Sequence, residues 1–116
     1  MPHPFEDPHL SHDIEVLREW AERTPEVQRV VLFGSRVLGH ARPYSDLDVA
    51  IVHRPAPGDA DALTTAFTER QGWLSELQPR MRLRLDLWSH LGPSDAAKVD
   101  AGVEAGSLVI YDQVAA

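Results

Sequence analysis

Two aspartates two residues apart, Asp46 and Asp48, lie in VVLFGSRVLGHARPYSDLDVAIV, residues 30–52, inside a run that otherwise reads as a buried strand. Side chains two apart on a strand share a face. Both carboxylates therefore point one way, while Leu47, Val49 and Ile51 point the other way, toward a core. A third carboxylate, Asp86, lies in MRLRLDLW, residues 81–88. There Met81, Leu83, Leu85 and Leu87 take the core face, and Arg82, Arg84 and Asp86 the opposite one. If the two strands are neighbours, three carboxylates share one patch of sheet. At ~6 Å and an effective dielectric near ~20, each pair repels by roughly 3 kcal/mol. A hard divalent cation removes that repulsion, and Mg²⁺ favours carboxylate oxygens completed by water and phosphate. Two such ions about 4 Å apart can serve an in-line displacement at phosphorus.

Gly34-Ser35 supplies a complementary part. A strand that ends in glycine and opens a helix presents backbone N–H groups suited to an anion. Gly34 lets the backbone approach a phosphate, the Ser35 hydroxyl can donate to it, and Arg36 can add charge-assisted bonds. One edge of the site would hold phosphate, and the carboxylates would hold the metals that phosphate brings.

The elements that must position these groups read as strands interleaved with helices. Residues 1–10, with three prolines, read as a loose arm. Ser11 reads as the N-cap of a helix to about Arg23, with Ile14, Leu17, Trp20 and Ala21 on its apolar side. VQRVVLF, 27–33, is a β-branched strand that stops at Gly34, and SRVLGH is a helical turn. A second strand covers 46–53, a helix runs from about Asp59 to Gln78, and a third strand covers 81–88. Ser94 begins a helix to about Ala105, and SLVIY is a short last strand. This order predicts an α/β (α+β) layer, a small mixed sheet with helices packed on one face.

Composition narrows the function classes. At 116 residues the chain is expected to be a single domain. No cysteine is present, so disulfides and thiol-based zinc sites are excluded, and a reducing cytoplasm is the expected compartment. No apolar run reaches the length of a membrane span, and the N-terminal residues lack the pattern of a secretion signal. A net charge of −7 argues against a direct grip on nucleic acid, whose affinity comes mostly from Lys and Arg on phosphates. His3, His9 and His12 on the arm make a poor preorganised ligand set. His40, His53 and His90 read as surface residues, Trp20 and Trp73 as core, and Trp88 shares the Asp86 face. Leu63, Phe67, Leu74 and Leu77 mark a core face of the long helix, or a partner surface. Ser45 reads as a turn-capping residue.

With Gly34-Ser35, a ten-residue gap, Asp46-Leu47-Asp48 and Asp86 in RLRLDLW in place, the sequence resembles the nucleotidyltransferase superfamily of DNA polymerase beta. LFGSRVLGHARPYSDLDVAIV and the closing GVEAGSLVIYD look like its minimal nucleotidyltransferase branch, over about residues 28–112. The resemblance implies the polymerase beta palm-like fold and Mg²⁺-dependent transfer of AMP from ATP. It implies that Asp46 and Asp48 ligate both Mg²⁺ ions, that Asp86 ligates the catalytic one and draws the acceptor's proton, and that Gly34 and Ser35 hold the β- and γ-phosphates. Minimal members typically act as antitoxins, adding AMP to a tyrosine of a HEPN-type ribonuclease toxin. Two alternatives stand beside this reading. One is a homodimer modifying a small aminoglycoside-type acceptor; the other is a non-catalytic module that neutralises a partner by contact.

Overall fold

The protein is described by a computed structural model that covers residues 7–39, 41–42, 45–90 and 106–113. In chain order these form α1 (Pro8–Glu22), β1 (Val27–Phe33), a single helical turn α2 (Ser35–Leu38) and β2 (Leu47–His53). There follow α3 (Ala62–Leu77), a 3₁₀ turn (Gln78–Arg80), β3 (Leu85–Ser89) and β4 (Ser107–Asp112). The strands make one mixed sheet in the order β3-β2-β1-β4. β1 pairs antiparallel with β2 and β4, and β2 pairs parallel with β3. This is the mixed α/β layer that the alternation of elements predicts. The helix expected from Ser94 to Ala105 lies outside the described residues, as does His40.

Helix α1 begins earlier than Ser11. Asp7 is its N-cap, accepting from the backbone N–H groups of His9 at 2.9 Å and Leu10 at 3.3 Å, and Pro8 occupies the first helical position. An aspartate followed by proline fills the capping roles more completely than a serine inside the first turn. Residues 8–10, expected in the arm, are therefore helical. The helix buries Leu10, Ile14, Leu17, Trp20 and Ala21 against Val27, Val30 and Leu32 of β1 and Leu47, Val49 and Ile51 of β2. Met81, Leu83, Leu85 and Leu87 join the same core, as their alternation predicts. From α3, Trp73 meets Trp20 edge-on with ring centroids 5.6 Å apart, and Leu77 is fully buried.

Two expectations are corrected by burial. Helix α3 shows Leu63 and Phe67 to solvent, Phe67 at 79% exposure, so of the two roles expected for them the core is ruled out and the partner surface stands. Its apolar residues spread around the helix rather than forming one stripe, which is why periodicity could not place them. His53 is buried, not on the surface. It ends β2 beneath Trp73, 5.3 Å between ring centroids, with Nε2 2.9 Å from Ser89 Oγ and Nδ1 3.2 Å from the Arg54 carbonyl. A carbonyl only accepts, so Nδ1 carries the proton and Nε2 accepts from the serine hydroxyl.

Desolvation holds the His53 pKa below the ordinary imidazole value, against smaller opposing effects of the Arg54 carbonyl and the Glu26 charge. The neutral ring is the native form. Below the ordinary imidazole pKa the unfolded chain binds a proton that the folded chain resists, so stability falls with pH in that window and is complete above it. The thermal midpoint should therefore decline as pH drops through this range, and His53→Gln should flatten that part of the profile. Parallel profiles for the two proteins would contradict the assignment.

Candidate functional site

The site is built where β1, β2 and β3 run side by side. The register aligns Phe33 of β1 with Asp48 of β2, and Asp48 with Asp86 of β3. Two of the three predicted carboxylates are thus cross-strand neighbours on one face, at a strand spacing of about 4.8 Å. Both are partly exposed. In the next row, Val31, Ala50 and Trp88 align across the same strands. Val31, Phe33 and Ala50 form a second, smaller buried cluster with Trp88 packed on it. The carboxylates therefore border an apolar patch rather than a bare polar sheet. Sequence alternation alone missed this patch, because β1 is apolar on both faces.

Asp46 precedes β2, and its carboxylate lies 3.9 Å from Arg84 Nε. That arginine is 83% exposed, so the contact is weak. Among the described residues, no three His, Asp or Glu side chains are drawn together into a metal cluster. The structure places Asp48 and Asp86 side by side and leaves Asp46 beside Arg84 at the margin. Carboxylates on adjacent strands are the hard oxygen donors that a Mg²⁺-sized ion takes, so the donor chemistry fits such an ion.

Gly34 closes the other side. Its φ of +80° lies where side chains are rarely tolerated, and a Cβ added there would collide with Asp48 Oδ2, its Cγ lying 3.0 Å away. The glycine is thus required twice, by its own backbone and by the carboxylate against it. Its carbonyl accepts from the Val37 and Leu38 N–H groups, each at 3.1 Å, which turns the chain out of β1 into α2. Ser35 opens that turn.

Arg36 has a different place from the one its charge suggests. Its side chain is 8% exposed. It donates to the Ser45 carbonyl at 2.8 and 3.2 Å and to the Arg42 carbonyl at 3.2 Å, and its Nη1 lies 3.7 Å from Asp7 Oδ2. Ser45 completes the arrangement by accepting from the Arg42 N–H at 2.9 Å, the turn-holding role expected of it. In this arrangement Arg36 links the Gly34 turn to the residue just before Asp46.

Two further residues support the site and were not singled out from the sequence. Asp13 is fully buried and accepts from the backbone N–H groups of Arg82 and Leu83, both at 2.8 Å. Gln78 bonds Leu83 and Leu85. Asp13 carried a legible signal, a charged residue within the apolar stripe of α1. Gln78 carried none.

The family model of the nucleotidyltransferase domain matches residues 14–98. The chain belongs to this family. Among solved structures, a candidate nucleotidyltransferase from Sulfolobus solfataricus superposes with a TM-score of 0.55 at 15% identity, covering 98% of this chain and 92% of that one. A toxin–antitoxin complex with AMP-PNP gives 0.52 at 22% identity, over 88% of this chain and 72% of that one. A mutant of the toxin–antitoxin pair MntA–HpeT, with two aspartates two residues apart replaced by glutamate, gives 0.51 at 18% identity, over 86% and 73%. These likenesses show a shared fold. No curated protein matches the chain in sequence.

The contact between Gly34 and Asp48 makes a testable coupling. Gly34→Ala should cost roughly 1–3 kcal/mol, from the positive φ and the collision. In an Asp48→Ala background, where the colliding oxygens are gone, the same change should cost about 1 kcal/mol less. Chemical denaturation of the four proteins measures this, and strict additivity would contradict the contact.

Proposed function

We propose that this nucleotidyltransferase domain transfers AMP from ATP to a hydroxyl of a partner protein, within a toxin–antitoxin pair of the minimal nucleotidyltransferase and HEPN type. In this reading Asp46, Asp48 and Asp86 hold two Mg²⁺ ions. These supply charge neutralisation at the phosphates and activation of the acceptor oxygen. Gly34 and Ser35 hold the β- and γ-phosphates. Arg36, tied to the carbonyls of Arg42 and Ser45, keeps Asp46 in reach of the Gly34 turn. The acceptor oxygen forms a bond to the α-phosphorus as the α–β bridging bond breaks. Pyrophosphate leaves, and the acceptor's proton passes to Asp86.

One observation carries most of the reading: Asp48 and Asp86 stand opposite each other on parallel strands. Like charges directly opposite destabilise a sheet pair, and such an arrangement makes sense when a cation joins it. The partner reading draws on the toxin–antitoxin complexes among the structural neighbours, one crystallised with AMP-PNP and one altered at an aspartate pair. The chain's net charge of −7 suits a basic partner.

Asp48→Asn and Asp86→Asn should each fold and lose transfer, measured as label passing from [α-³²P]ATP to the co-expressed partner. Label on the partner in either variant would refute the carboxylate roles. Label on small acceptors alone in the wild type would point to a small-molecule enzyme, and no label at all to a binding module.

A further inference from the structure

Strand β3, which carries Asp86, is an edge strand of the sheet. The hydrophobic pattern alone does not fix its register. In MRLRLDLW the core face reads Met81, Leu83, Leu85, Leu87, and these are nearly interchangeable. A slip of two residues against β2 would keep leucines in the core. It would place Arg84 or Trp88, instead of Asp86, opposite Asp48. A one-residue slip is excluded by burial, but a two-residue slip is not.

Directional bonds along the outer side of the strand resolve this ambiguity. Asp13 from α1 accepts from the Arg82 and Leu83 N–H groups at 2.8 Å each. Gln78 of the 3₁₀ turn donates through Nε2 to the Leu83 carbonyl at 3.0 Å and accepts through Oε1 from the Leu85 N–H at 2.8 Å. Arg70 of α3 donates through Nε to the Leu87 carbonyl at 2.8 Å. Three side chains from three elements thus follow the backbone from residue 82 to 87, where a further strand would otherwise bond. Regular strand begins at Leu85 and not at Met81 as the alternation predicts.

We propose that Asp13, Gln78 and Arg70 are positioning residues that hold β3 in the one register that sets Asp86 beside Asp48. None of them touches the reacting atoms. Gln78 matters most, because it ties the strand to the turn just before it and so fixes how much chain lies between them. The activity half of the test rests on the proposed nucleotidyl transfer; the exchange half does not.

The test compares Gln78→Ala with Ile110→Val, a core truncation on β4, the sheet edge opposite β3. Amide hydrogen exchange should accelerate at Leu83 and Leu85 in Gln78→Ala while β1 amides keep their protection. With the carboxylate displaced, kcat for AMP transfer should fall about tenfold, and KM for ATP should stay within about twofold because the Gly34 turn is untouched. Ile110→Val should lower the thermal midpoint and leave kcat unchanged. Gln78→Glu keeps the acceptor for Leu85 and removes the donor to Leu83, so it should fall between the two, and it replaces the alanine variant if that one fails to fold. Unchanged exchange at Leu85 overturns the proposal whether or not the wild type transfers AMP. A loss of kcat that merely follows the folded fraction, as in the core variant, also overturns it. Absence of transfer in the wild type, with exchange altered as expected, sinks the proposed function and leaves the strand-positioning role standing.

Discussion

The parallel pairing of β2 with β3 governs the rest of this molecule. It sets Asp48 against Asp86 at one strand spacing and concentrates negative charge on one sheet face. Parallel neighbours cannot be joined by a tight hairpin. The chain leaves β2, crosses through α3 and the 3₁₀ turn, and returns as β3. The crossover is also where the supporting groups originate: Arg70 and Gln78 lie on it, and both bond back to β3.

Around this pairing the two faces of the sheet carry different duties. Leu47, Val49, Ile51, Leu85 and Leu87 anchor one face beneath α1 and α3. The other face carries the two aspartates, the Val31–Phe33–Ala50 cluster and Trp88. Gly34 stands at the end of β1 against Asp48, so the turn proposed to take phosphate lies beside one of the carboxylates proposed to take metal. Arg36 then binds the loop before Asp46 back to that turn. Short elements suffice because each site residue lies at a strand end or within two residues of one.

Much of this was legible in the sequence. Strict alternation in MRLRLDLW and the two-residue spacing of the aspartates in DLDVAIV announced which side chains go inward, and the Gly-Ser break after an apolar run announced the turn. What stayed hidden depended on three-dimensional neighbours. Asp7 capping α1, the buried His53 under Trp73, and Gln78 on the outer side of β3 are polar residues whose partners lie in backbone or in distant chain. Periodicity has no means of reporting such partners. Arg36 shows the same limit from the other side: its charge suggested phosphate, and its geometry gives it to loop carbonyls. For Phe67 and Leu63 the sequence left core and partner surface open, because α3 is apolar on more than one side and only docking against the sheet decides which side is covered.

The most direct test of the central claim is a crystal structure of the protein with Mn²⁺ and a non-hydrolysable ATP analogue. An anomalous peak within about 2.2 Å of carboxylate oxygens from both Asp48 and Asp86, with the triphosphate tail against Gly34 and Ser35, is the expected result. A metal–nucleotide complex seated elsewhere on the surface, with Asp48 and Asp86 unoccupied, would contradict the account.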